Sequence, residues 1–183
     1  QRMFDDFKLF LWYLWRELGL PEPTKRQYEI ADYLQHGPRR RIIMAFRGVG
    51  KSWITAAFVL WLLWRDPQER IMVVSANEDR AIEFARFVRH LMDIIPILSA
   101  LRPKSGQRDS TKSFDVGPAG PDQAPSVRSV GITGQLTGGR ATRIIADDIE
   151  IPKNSATETM REKISEAVTE VDAVLKPGVQ ATY

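Results

Sequence analysis

The run Ala45-Phe46-Arg47-Gly48-Val49-Gly50-Lys51-Ser52 puts a lysine and a hydroxyl straight after two closely spaced glycines. Those residue types in that order suit a chain of phosphates. Gly48 and Gly50 permit positive φ and close backbone approach, so successive N–H groups can turn inward on an anion. A helix that opens at such a loop aims the positive end of its dipole at the same anion. Lys51 would reach the β- and γ-phosphates of a nucleotide, and the Ser52 hydroxyl would ligate Mg²⁺. Ala45 to Ser52 is therefore the candidate nucleotide-binding loop, with Ala45 standing where the pattern carries its first glycine.

Phosphoryl transfer to water also needs a carboxylate beside the metal and a group that orients the attacking water. Ile144-Ile145-Ala146-Asp147-Asp148 ends an apolar run in two carboxylates, and Asp147 is the candidate for the Mg²⁺ shell. Two residues qualify for the water. Asp148 follows directly, while Glu150 lies on the same face if the chain stays extended and has the longer reach. The residues leave that choice open.

The elements that must position these groups can be read from periodicity. Phe7, Phe10, Leu11, Leu14, Trp15 and Leu18 recur at helical spacing, so Phe4 to Leu18 is expected as a helix. Thr24 and Gln27 fit a capping box for a second helix reaching about Gln35. Arg41 to Phe46 is expected as a buried strand leading into the glycine loop. The helix after the loop is apolar nearly all round and stops at Asp66-Pro67. Ile71 to Ser75 is a second apolar strand without a terminal carboxylate, expected between the loop strand and the Asp147 strand. A helix opens at Asn77 or Glu78 and runs to about Ile94. Ser113 to Val116 and Ser126 to Ile132 are expected to pair as a hairpin. Thr142 to Ala146 is a third buried strand. An amphipathic helix spans about Ser155 to Leu175, Lys176-Pro177-Gly178 stops it, and Val179 to Tyr183 starts another strand. This order is α/β with a mainly parallel central sheet flanked by helices, a P-loop NTPase fold of the type with an additional strand.

Composition agrees with one domain. The chain has 183 residues, 43% of them apolar, which is enough for a sizeable core. It has no cysteine, so no disulfide framework and no thiolate metal site. His36 and His90 are too far apart in sequence for a recognisable ligand spacing. The net charge of +3 is too weak to imply nucleic acid by itself. The N-terminus lacks signal-peptide character, and the apolar run Trp53 to Trp64 is too short to span a bilayer. A soluble, intracellular chain without a membrane partner is expected.

With these residues placed, the chain resembles the large terminase subunits of tailed double-stranded DNA phages, particularly the short-tailed podophages. The resemblance runs from about Phe7 to Gly178. It is carried by LGLPEPTKRQYEIADYL, AFRGVGKS, TGQLTGGRATRIIADDIE and LKPG. It implies an ATP- and Mg²⁺-dependent motor domain that moves double-stranded DNA into a procapsid. It also implies a five-membered homo-oligomeric ring on a portal protein, a small terminase subunit as partner, and the host cytoplasm during virion assembly as location. Residues 1–37 would be an N-terminal helical segment and 38–183 the P-loop core of one ATPase domain. The nuclease domain of the family would be absent, the chain ending before or within the coupling motif. By the same resemblance Gln27 reads the adenine edge, alongside its capping role. Arg47 stabilises the γ-phosphate in cis, a task that suits a permanently charged, bidentate guanidinium. Arg140, after Gly138-Gly139, is the candidate finger for a neighbour's ATP, with Arg143 as the fallback.

Arg39-Arg40-Arg41 and Lys104, Arg108, Lys112 are two basic runs that would serve DNA contact or simply be solvated surface. Two other enzymes and one module share parts of the pattern. A helicase-like translocase would share Gln27 and the loop but continue into a second motor domain. A regulatory ATP-binding module would not need Asp148 or Glu150. A small-molecule kinase would need a lid, for which only the Lys104 to Lys112 loop offers itself.

Overall fold

The computed structural model describes residues 5–136, 140–149 and 155–182, with backbone alone for 170–182. Two helices, α1 (Phe7–Glu17) and α2 (Lys25–His36), precede a short strand β1 (Arg40–Arg41). The glycine loop opens α3 (Lys51–Arg65), which leads to β2 (Ile71–Ser75), α4 (Glu78–Ile94) and a 3₁₀ turn (Pro96–Leu101). β3 (Ser113–Phe114), β4 (Val127–Gly131), β5 (Ala141–Asp147), α5 (Glu158–Val174) and β6 (Leu175–Thr182) follow. The strands form one sheet in the order β1-β6-β5-β2-β4-β3. Its ladders are parallel except β3 with β4.

Period two sorts the strand residues onto two faces. Ile71, Val73 and Ile145 join the larger core with α1, α3 and α4. Met72, Val74 and Ile144 join a smaller core on the opposite face, against Ile164, Ala167 and Val168 of α5. Both faces of β2 are covered, which is why it reads IMVVS with no polar alternation. α3 is buried from Ala56 through Leu63 because α1 covers the side turned away from the sheet. Phe7 meets Phe58 and Trp61 with ring centroids 5.1 and 5.3 Å apart. Each such fully buried large side chain contributes about 1.5–3 kcal/mol of transfer free energy.

Three expectations are corrected. The strand expected over Arg41 to Phe46 is paired only at Arg40↔Ala181 and Arg41↔Thr182. The ladder stops at the last described residue of β6, so 42–46 have no strand neighbour there. Ile42 and Met44 are 71% and 93% exposed. Ile71–Ser75 does not lie between the loop strand and the Asp147 strand. β6 lies there, and β2 is on the far side of β5. Lastly, the helix ends at Val174, just before Lys176-Pro177-Gly178, as expected of a stop, but the strand after it begins at Leu175 rather than Val179. Leu175 to Gln180 spans five steps where Ala141 to Arg143 spans two, so these three residues form an irregularity in the ladder. A proline without an N–H is accommodated at such a place. The expected hairpin is present, with Ser113↔Arg128 and Phe114↔Val127 in register.

Candidate functional site

The glycine loop is shaped by left-handed backbone at two positions. Gly48 has φ +95° and Gly50 φ +83°. Gly50 is the N-cap of α3 and offers no side chain to the free N–H groups of the first turn, which stay available to an anion. Lys51 Nζ donates to Ala45 O at 3.3 Å, across the mouth of the loop. Val49 is the buried member of the loop, whereas Phe46, Arg47 and Gly48 are exposed.

Gln27 ties this loop to α2. Its Oε1 accepts from Thr24 N at 2.8 Å while Thr24 Oγ1 accepts from Gln27 N, completing the capping box. Its Nε2 donates to Val49 O at 2.9 Å. One carboxamide thus caps a helix and fixes the loop backbone. A Cβ on Gly50 would stand 3.4 Å from the same Nε2, so the loop passes Gln27 in contact.

β5 carries Asp147 to the same end of the sheet. The register Ser75↔Asp147 fixes it beside the end of β2. Burial pushes the Asp147 carboxyl above the ordinary carboxylate range. A side-chain hydrogen bond from Ser52 opposes that shift, Asp148 reinforces it, and the charges of Lys51 and Arg80 oppose it. Asp148 turns the chain with φ +54°, the one positive-φ residue other than glycine among the described residues. An aspartate tolerates that region better than most residues, though at a cost of about 1 kcal/mol. Lys51, Asp147 and Asp148 line one cavity together with Ile145 and Thr55. Ser52, Asp147 and Asp148 line a second of about 210 Å³ with Arg80 and Glu83.

The structure therefore brings together Lys51, Ser52, Asp147 and Asp148, with Gln27 behind the loop. Arg47 and Arg140 are exposed. Arg143 pairs with Glu69 at 2.8 Å on β5, so a reach outward would first break that pair. Glu150, Gly138 and Gly139 lie outside the described residues. Arg80 was not singled out in the sequence. The available signal was its place one turn into a helix capped by Asn77, directly after a buried strand. The Arg39-Arg40-Arg41 run is also divided. Arg41 is buried and donates to the carbonyls of Pro38 (2.7 Å), Gly37 (3.0 Å) and Leu34, closing the C-terminus of α2.

A glycine loop opening a helix, near a strand-end carboxylate of a mainly parallel sheet, defines an α/β protein with a candidate site at the C-terminal ends of its strands. A family profile described as "Terminase large subunit, T4likevirus-type, N-terminal" matches residues 42–174. The chain belongs to the terminase large subunit family. It is 57% identical over 173 residues to the "Terminase, large subunit" of Enterobacteria phage T3, an alignment covering 94% of this chain. It spans 30% of the length of that relative. No helix among the described residues is long and apolar enough to cross a membrane.

Proposed function

We propose that this chain is the ATP-hydrolysing domain of a terminase large subunit, coupling phosphoryl transfer to the packaging of double-stranded DNA into a procapsid. The observation that carries the reading is the cavity that Ser52, at the start of α3, lines together with the half-buried Asp147. The hydroxyl of Ser52 and the carboxylate of Asp147 are hard oxygen ligands of the kind Mg²⁺ takes. A carboxylate raised by burial gains from such a cation, so the residues present fit it. Mg²⁺ would be held through Ser52 and Asp147 and would neutralise phosphate charge. The placement of β6 between the loop strand and the Asp147 strand favours the P-loop class with an additional strand.

Lys51 leaves Ala45 O for the β- and γ-phosphates when nucleotide enters. The N–H groups at the start of α3 and in the loop hold the phosphate oxygens. Arg47 is on the loop itself and free to swing onto the γ-phosphate. Asp148 or Glu150 orients the attacking water and accepts its proton. Arg140 from a neighbouring subunit stabilises the transition-state charge in a ring of five seated on a portal protein, with a small terminase subunit as a further partner. Gln27 reads the adenine edge with what its carboxamide leaves over from Thr24 and Val49. The setting is the host cytoplasm during virion assembly.

ATP turnover by the chain with Mg²⁺, with and without duplex DNA, tests this. Lys51→Ala should abolish turnover. One of Asp148→Asn and Glu150→Gln should do the same while nucleotide still binds. Binding without turnover in the unsubstituted chain, at every protein and DNA concentration, would replace this reading by a regulatory nucleotide-binding module.

A further inference from the structure

The two cavities around the glycine loop share Asp147 and Asp148 and no other lining residue. Lys51 lines the larger one, and Arg80 lines the one of about 210 Å³ to which Ser52 belongs. The two carboxylates therefore have a cation in each cavity. Phosphate binding accounts for the lysine but not for the arginine.

Local structure brings Arg80 to this place. β2 ends at Ser75, which is in register with Asp147. Asn77 then caps α4 by accepting from Arg80 N at 3.0 Å, so Arg80 is in the first turn of a helix that begins beside the end of β5. Glu78 and Asp79 in that turn suit the positive end of the helix dipole, whereas a cation there opposes it. Helix preference thus does not explain an arginine at this position. A strong partner does not explain it either. The guanidinium reaches Glu83, on the next turn, at 4.0 Å, with both side chains mostly exposed, and such pairs contribute little. Its charge is felt at Asp147, where it joins Lys51 in favouring the ionised carboxylate. Phe84 and Phe87 also line the cavity, and an apolar wall lengthens the reach of charge. With Glu83 included, three carboxylates line this cavity with one guanidinium. The surplus favours a cation, and Arg80 is the cation that the fold itself supplies.

We propose that Arg80 is a positioning residue, the resident counter-charge of Asp147 and Asp148, which gives these carboxylates up to Mg²⁺ when the metal arrives with nucleotide. The inference rests on the Mg²⁺-dependent reading of the site and adds to it a limit on metal affinity. A guanidinium stays charged at every working pH, so it competes with any second cation for the same two carboxylates. That competition keeps them from retaining metal once the phosphates have left.

The test titrates the full chain, without nucleotide, with Mn²⁺ alone, a paramagnetic ion that takes the same oxygen ligands as Mg²⁺. Binding is read as loss of the free-ion signal in electron paramagnetic resonance. Arg80→Gln removes the charge, and Arg80→Lys keeps it. Arg86→Gln removes a charge from an exposed residue of the same helix that lines neither cavity. Asp147→Asn reports whether the bound ion is at this site. Arg80→Gln should bind Mn²⁺ roughly tenfold more tightly, the size expected on removing a partly screened unit charge beside a divalent ion. Arg80→Lys and Arg86→Gln should match the parent, Asp147→Asn should bind more weakly, and Arg80→Gln added to Asp147→Asn should gain much less. Unchanged or weaker binding in Arg80→Gln, with Asp147→Asn weakened, overturns the counter-charge and leaves the hydrolase reading standing. Equal tightening in Arg86→Gln means an effect of net charge and overturns it too. If Asp147→Asn binds Mn²⁺ as well as the parent does, the metal role of Asp147 fails, and the role of Arg80 falls with it.

Discussion

The two segments that deliver chemistry to the site are held in opposite ways. β5, which carries Asp147, is paired in register with β2 on one side and, past one irregularity, with β6 on the other, and its Ile144 and Ile145 are buried in different cores. Residues 42–46, which lead into the glycine loop, have no paired strand among the described residues, the ladder being described as far as Arg41↔Thr182. Yet Lys51 still lines one cavity with Asp147. The loop is anchored from its far side instead. α3 is buried along most of its length, Gln27 holds Val49 O, and Arg41 fixes the chain just before the free segment.

The largest effect should come from the paired wall. Ile144→Ala empties a fully buried position and should lower unfolding free energy by about 2–5 kcal/mol. Met44→Ser, in the free segment, should stay within about 0.5 kcal/mol. Denaturant titrations of the two variants would sink the comparison if they gave similar losses. Next in size is Arg41→Met, which keeps much of the apolar stem but strips the C-terminus of α2 of its donors. A loss of about 1.5–3 kcal/mol is expected for hydrogen bonds from a charged group. Were Arg41 a solvated member of a basic run, the midpoint would not move.

Gln27→Ala should be smaller, about 1 kcal/mol, as for other lost caps. Its signature is local: amide exchange should quicken at Val49 to Lys51 more than in β5. Equal changes in both places would mean that Gln27 does not anchor the loop separately. The last effect is read by sign. Asp147 binds its proton more tightly folded than unfolded, because burial and Asp148 outweigh Ser52, Lys51 and Arg80. Its charge therefore opposes folding at neutral pH, and that opposition fades as pH falls through the raised value. In metal-free buffer Asp147→Asn should be more stable than the parent at pH 7, with the gap closing in acid. Added Mg²⁺ should narrow the gap by stabilising only the parent. A variant less stable than the parent at pH 7 would reverse the assignment.

Local features of the fold were legible in the sequence. The capping box at Thr24, the asparagine cap at Asn77, the all-round apolar α3 and the carboxylates after Ile145 each follow from neighbouring residues. What failed was non-local. Ile71–Ser75 and β6 are both candidates for the inserted strand on composition, and only pairing decides which one stands beside β5. Arg41 to Phe46 has the apolar character of a strand, and its pairing is described at Arg41 alone. Lys-Pro-Gly is a good stop signal and the helix does end before it, but the strand starts four residues early because the ladder absorbs these residues as an irregularity. Arg41 looked like surface charge because nothing local shows that three carbonyls at the end of α2 converge on it. In the candidate site, Ser52 and Asp147 were legible and are brought together. Arg80 was not, since its nearness to Asp147 depends on how α4 sits on the sheet.

The left-handed turn at Asp148 has a consequence for mutational tolerance. An aspartate codon reaches asparagine or glycine by one nucleotide change, and both residues accept that backbone. Valine and tyrosine are equally close in the code but would strain it. A variant library sorted only for folded protein should therefore be enriched at position 148 in Asn and Gly. If the same library is sorted for turnover and Asp148 is the residue that orients the water, both substitutions should disappear.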